Sequence, residues 1–194
     1  PAADLDTALR AATRVSFDRL DSDGCMSTND TVSVMANGAS GVRPDLVDFT
    51  AGLTEVCVSL ARQLLADAEG ADHEIAITTL NAATEDDAVA VGRSVARSNL
   101  LKCAIYGRDP NWGRVLASVG TTDATFDPDQ LDVSFNGVKV CRGGAIGECY
   151  AVRLDLVSAV PEPESWAMLG LGLGLLGVTG DQVVDAETYA RIKA

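Results

Sequence analysis

An α/β domain is what this sequence predicts, and three patterns predict it. Leu46, Phe49, Leu53, Val56, Leu60 and Leu64 recur at spacings of three and four, which places them on one apolar helical face. Ile75 and Ile77 alternate with small or polar residues over 74–80, as in a half-buried strand. Asn136-Gly137 joins Val133-Ser134-Phe135 to Val138-Lys139-Val140, and an Asn-Gly pair between such runs marks a two-residue hairpin.

The first element is predicted to be a helix. Leu5, Ala8, Leu9, Ala12, Val15 and Phe17 fall mostly three and four apart, with Asp4 available as a cap, and Asp21-Ser22-Asp23-Gly24 breaks the pattern. Residues 31–36 form a short run rich in β-branched side chains, closed by Asn37-Gly38, which predicts a strand. Pro44 has the fixed φ of a first helical turn and opens the long helix, which Gly70 stops. After the strand over 74–80, Thr84 with Asp86 and Asp87 opens a helix that runs to about Ser98. Residues 100–106 are predicted as a further strand, and 107–113 as a loop, since Asp109 precedes Pro110 and is biased away from helix. A short helix over 114–119 follows. Beyond the hairpin, Val152, Leu154 and Leu156 alternate with Arg153 and Asp155 in one more strand. Composition changes near Ser158, where a Pro/Glu stretch, a Gly/Leu run from Trp166 to Val178 and a final helical stretch with Tyr189 and Ile192 follow. With no internal repeats, the organisation is one domain over 1–157 and a tail over 158–194.

Composition excludes several classes of function. The 194 residues carry 15 Lys+Arg against 28 Asp+Glu, a formal charge of −13, with 47% hydrophobic and 22% charged residues. The mean hydropathy is +0.14 and the pI about 4.3. That much apolar material builds a core, which excludes wholesale disorder. Excess carboxylates repel phosphate backbones, and no Lys/Arg cluster is interleaved with aromatics, so neither nucleic acid nor an anionic membrane is an expected partner. Cys25, Cys57, Cys103, Cys141 and Cys149 are widely spaced, without CxxC or Cys/His metal spacing, and read as free thiols in a reducing compartment with no metal site. Pro1 is followed by neither a basic nor an apolar region, so no secretory signal is read and the cytoplasm is expected. The 166–178 run is shorter than the roughly 20 residues of a spanning helix. Val160-Pro161-Glu162-Pro163 before it resembles the start of a sorting tail, without the arginine cluster that ends one.

Four places could carry chemistry, and each has a bland alternative. Asp18, Asp21, Asp23 and Asp30 are acidic, but their spacing does not meet the calcium-loop pattern. Ser27-Thr28-Asn29-Asp30-Thr31 is a run of short hydrogen-bonding side chains that can tie up backbone groups in a tight turn, and it reads as a loop held by such bonds. In Asp109-Pro110-Asn111-Trp112-Gly113-Arg114, either Arg114 clamps a substrate carboxylate, or Trp112 is buried and Arg114 pairs a neighbouring acid. Glu69 stands at the end of the long helix, where the dipole disfavours negative charge, and is either a site carboxylate or an ordinary solvated one. The only histidine, His73, lies in Ala71-Asp72-His73-Glu74 and reads as part of a solvated turn rather than a catalytic base.

Arg10-Ala11-Ala12-Thr13, Ser16-Phe17-Asp18-Arg19, Asp23-Gly24, the 27–31 run and the 109–114 motif, with Asp67-Ala68-Glu69-Gly70 and the 83–88 segment between them, resemble the glutamate N-acetyltransferase (ornithine acetyltransferase) family of arginine biosynthesis. The resemblance is to its β chain and covers roughly Asp4 to Glu148. It implies a layered α-β-β-α sandwich in which helices flank two packed sheets. It also implies a precursor that cleaves itself before a threonine, which then moves an acetyl group from N2-acetylornithine to glutamate. That chemistry suits a chain without a useful histidine, because a terminal α-amine of pKa about 7.7–8.0 can serve the threonine as base. No cofactor is implied, and the oxyanion hole comes from the α chain. Glu69 matches the family's β-chain glutamate that contacts the substrate amino acid. The implied partners are the α chain, small amino-acid substrates and further αβ units in a homo-oligomer.

The sequence departs from the family pattern in three places. The nucleophilic threonine is expected upstream of Pro1, Asp72-His73-Glu74 replaces a Thr and a basic residue of the family, and 149–194 has no recognised counterpart of the family's closing segment. The alternatives to the transferase are a non-catalytic assembly relative and an acetyltransferase of secondary metabolism with another acceptor. A tautomerase-like Pro1 base lacks the apolar surroundings it needs.

Overall fold

The computed structural model describes residues 1–143, 150–158 and 186–193, with side chains over 1–71 and 73–143. The expectations for 159–185, including the Pro/Glu stretch and the Gly/Leu run, lie outside the described residues, as does Cys149. Helices α1 (Ala2–Arg14), α2 (Leu46–Ala66), α3 (Glu85–Arg97), α4 (Asn99–Tyr106) and α5 (Trp112–Val119) accompany strands β1 (Leu20–Asp21), β2 (Ala71–Leu80), β3 (Leu131–Phe135), β4 (Val138–Cys141), β5 (Tyr150–Ser158) and β6 (Ala186–Lys193). The strands form one mixed sheet in the order β1-β6-β2-β5-β3-β4. The fold is thus α/β. Among the described residues no helix is long and apolar enough to cross a membrane.

One face of the sheet carries the core. Ile75 and Ile77 of β2 and Leu131, Val133 and Phe135 of β3 pack with Ala88, Val91 and Val95 of α3, Leu101 and Ile105 of α4, and Val115 and Val119 of α5. Burying each larger aliphatic side chain contributes about 1.5–3 kcal/mol relative to exposure, so this cluster is the main source of stability. The α3 helix starts where its sequence says: Thr84 Oγ1 accepts the amide of Asp87, and three acidic residues fill the first turn, where the dipole favours them. The hairpin also forms as expected. Asn136 (φ 49°) and Gly137 (φ 78°) both adopt left-handed backbone, as a type I′ turn demands.

Five expectations are corrected. Residues 99–106 are helix α4, not a strand, because Ser98 Oγ accepts the amide of Leu101 while Leu101, Ala104 and Ile105 share the face that meets the core. The segment predicted as a final helix is β6, which pairs antiparallel with β2 and parallel with β1; two open ladder edges decide it against local propensity. Residues 31–36 form no strand, because among the described residues no neighbouring strand completes their ladder, and Met35 stays 93% exposed. His73 is not in a turn but within β2, opposite Ser158 and Ile192 in the ladder. At the helix starts, α1 begins at Ala2 with Asp4 inside its first turn, and the cap of α2 is Asp45, whose Oδ1 accepts from Val47 and Asp48, so Pro44 stands outside it. Smaller shifts accompany these: α2 ends at Ala66, four residues before Gly70, and α5 starts at Trp112.

Candidate functional site

Glu69 lies in the turn that carries the chain from α2 into β2, with Gly70 at φ +63° completing it. Its side chain is exposed and makes no hydrogen bond or ion pair among the described residues. A carboxylate held at a turn between two long elements, yet left without a protein partner, has its acceptor oxygens available to an external ammonium.

The 27–31 run lies in a long exposed loop whose shape comes from its own side chains. Asp23 Oδ1 accepts the Cys25 amide at 2.7 Å, Ser27 Oγ the Asn29 amide at 3.2 Å, Asn37 Oδ1 the Ala39 amide at 3.0 Å and Ser40 Oγ the Val42 amide at 3.3 Å. Thr28 and Asn29 also bond to each other through their side chains. These are the side-chain to backbone turns expected of this composition. Met26, 88% exposed, and Met35 project from the same loop.

Basic side chains of α3 and α4 hold the base of that loop. Arg93 donates through Nη2 to the carbonyl of Asp18, Lys102 donates to the carbonyl of Ser22, and Arg97 Nε meets Asp21 Oδ2 at 2.8 Å, with the Asp21 side chain buried. Arg19 is buried and pairs with Glu85 at the start of α3, while its Nε donates to the Arg14 carbonyl at 3.1 Å. The Asp21 carboxylate and the Asp18 backbone carbonyl therefore belong to the scaffold of the loop, and among the described residues no group of three or more His, Cys, Asp or Glu side chains converges.

The 109–114 motif matches neither half of its bland reading. Trp112 is 45% exposed, and Arg114 has no acidic partner among the described residues; it donates through Nη1 to the Leu100 carbonyl. Asn111 caps α5 by accepting the Arg114 amide. The motif thereby delivers Arg114 to a groove of about 750 Å³ between α3, α4 and α5, where it joins Arg93 and Arg97. Sequence reasoning reached Arg114 but not the two α3 arginines, whose i, i+4 spacing was the available signal. Glu69 is not among the residues that line this groove.

Two thiols are set aside by their surroundings. Burial pushes the Cys57 thiol up, and burial together with the Asp132 charge does the same for Cys141, so neither is poised as a thiolate nucleophile. Cys25, Cys57, Cys103 and Cys141 are all free.

A family model described as ArgJ family matches residues 1–160. The Arginine biosynthesis bifunctional protein ArgJ of Thermobifida fusca is 67% identical over 140 residues, covering 72% of this chain and 37% of that protein. Its counterpart from Streptomyces coelicolor is 62% identical over 144 residues, covering 74% of this chain and 38% of that protein. The chain thus spans a little over a third of the length of these curated relatives. Among solved structures, the crystal structure of Arginine biosynthesis bifunctional protein argJ from Bacillus halodurans superposes with a TM-score of 0.71 at 25% identity, over 99% of this chain and 89% of that one.

Proposed function

The chain belongs to the ArgJ family, and from that premise we propose that it is the β-chain portion of an acyltransferase that moves an acetyl group from N2-acetylornithine to glutamate. The observation that carries this reading is the 67% identity over 140 residues to a protein named for arginine biosynthesis. Coverage supports the β-chain assignment: this chain covers 89% of a solved ArgJ chain but only 37% of a curated full-length relative, as expected if the family works as two pieces of one precursor.

In the proposed reaction a threonine upstream of Pro1, outside this sequence, attacks the acetyl carbonyl of N2-acetylornithine. Its own α-amine takes the hydroxyl proton and returns it to the departing ornithine amine, leaving an acetyl ester on the threonine. The amine of glutamate then attacks that ester, giving N-acetylglutamate and restoring the hydroxyl. The α chain would supply the donors that stabilise each tetrahedral oxyanion, and no cofactor is needed. Glu69 would pair with the substrate's α-ammonium or side-chain ammonium, a role that fits an exposed carboxylate at the α2–β2 turn without a partner among the described residues.

The same reading places a second sheet, contributed by the α chain, against the face of the molecule that carries the 22–45 loop, completing an α-β-β-α sandwich. It places the assembly in the cytoplasm as a homo-oligomer of αβ units, with residues 1–157 as the β-chain domain and 158–194 as a divergent tail. The test is to incubate the assembled precursor with N2-acetylornithine and labelled glutamate. Labelled N-acetylglutamate is expected, with kcat/KM reduced at least about tenfold in Glu69→Gln, the loss of one charge-assisted contact. No labelled product from a cleaved, folded assembly would refute the transferase, and a Glu69→Gln enzyme of full activity would remove Glu69 from the site.

A further inference from the structure

Three arginines share one groove in a chain whose net charge is −13. Arg93 and Arg97 stand one turn apart on α3, and Arg114 faces them from α5. No Asp or Glu lines the groove, although the chain has 28 acidic residues to place. Like charges gathered in a concave, partly desolvated place repel one another, and among the described residues only one of the three meets an acidic partner: Arg97, at Asp21.

The remaining donors are identifiable. A guanidinium carries five N–H groups. Arg93 spends one on the Asp18 carbonyl, and its Nε is buried without a hydrogen-bond partner among the described residues. Arg114 spends one on the Leu100 carbonyl. The hydroxyl of Ser98 accepts the Leu101 amide, which leaves its proton to give. Ser94, Ser118 and Thr121 instead donate to backbone carbonyls at 2.7–2.9 Å and so shape the wall. The positive ends of α4 and α5 open on the same space, since Ser98 and Asn111, their caps, both line it. Ala90, Leu100 and Ala117 add an apolar side, and the volume is that of a small-molecule site.

We propose that this groove between α3, α4 and α5 binds a small organic molecule bearing a doubly charged oxyanion, a phosphate or a pair of carboxylates, held by Arg93, Arg97 and Arg114. Two guanidinium charges without an acidic partner among the described residues match a dianion, and their fork geometry suits either oxyanion. The site goes beyond the proposed acetyl transfer and does not depend on it, so its test involves no turnover.

The test titrates the full chain with inorganic phosphate and, separately, with succinate, at constant ionic strength, following amide chemical shifts. Saturable binding of at least one probe at or below about 10 mM is expected, weakened about tenfold or more in Arg114→Gln, a loss of about 1.4 kcal/mol. Ala117→Glu, at an exposed position of α5 facing the groove, adds a carboxylate without touching the core and is expected to weaken binding equally. Arg10→Gln, on an exposed face of α1 away from the groove, should bind as the parent does. Tighter binding of phosphate points to an organic phosphate as the ligand, and tighter binding of succinate to a dicarboxylate. Absence of saturation by both probes, or saturable binding left intact in both folded groove variants, overturns the proposal.

Discussion

Ile77 of β2 is fully buried, whereas Leu64 of α2 is 61% exposed, although both belong to apolar patterns of equal regularity. The two residues represent two halves of the molecule. The sheet with α3, α4 and α5 closes its own core, while α1, the 22–45 loop and α2 leave Met26, Met35, Val42, Val47, Val56 and Leu64 facing outward. α2 packs against α1 and the short 3-10 turn at Phe17–Arg19, and most of its apolar stripe is left uncovered by the described residues. The difference teaches that an apolar period specifies which side of an element must be covered, but not that the same chain covers it. Under the proposed function the second half is where the α chain would lie.

Three substitutions bear on this comparison. The largest effect is expected from Ile77→Ala, which opens a cavity in the closed core and should cost about 3–4 kcal/mol in urea unfolding. A loss below about 1 kcal/mol would mean that the core is not closed as described.

Asp132→Asn should cost about 1–2 kcal/mol. Burial alone would push the Asp132 carboxyl up, but a bond from Lys139, the Gly143 amide at 2.7 Å, and the charges of Lys139 and Arg142 hold it below the ordinary carboxylate value. Gly143 is needed for that approach, because a Cβ there would stand 2.6 Å from the backbone of Asp129 and Gln130. Since the folded carboxyl binds its proton less readily than the unfolded one, its stabilisation is present above about pH 4 and is lost as pH falls through the depressed folded value. The parent should therefore lose stability on acidification more steeply than Asp132→Asn, and parallel pH profiles would count against this account of the β3–β4 hairpin.

Leu64→Ala should change the stability of the isolated chain by less than about 0.5 kcal/mol. A cost of about 2 kcal/mol or more would show that α2 is covered in solution and would erase the contrast between the halves.

What could be read in advance depended on range along the chain. The cap at Thr84, the period of α2 and the Asn136-Gly137 turn are decided within four residues, and each appears where the sequence places it. Helix α4 is equally local, since Ser98 followed by Leu101, Ala104 and Ile105 carries the pattern, although 100–106 is predicted as a strand from the sequence. Residues 31–36 and 186–193 were not readable, because ladder hydrogen bonds come from elsewhere in the chain: the first segment finds no strand partner among the described residues, and the second finds β1 and β2 on its two sides. Glu69 is a candidate from its place after the long helix and from family resemblance, and its position at an exposed turn came only from the structure.

By itself the sequence determined the long helix α2, the capped start of α3, the Asn136-Gly137 hairpin, the α/β class and the family, because backbone preference, capping and side-chain period act over a few bonds. Only the tertiary structure decided that β6 lies between β1 and β2, that the 31–36 segment stands unpaired, and that Arg114 meets Arg93 and Arg97. Each of these depends on groups far apart along the chain, brought together by burial of the shared core, and no window of neighbouring residues contains that information.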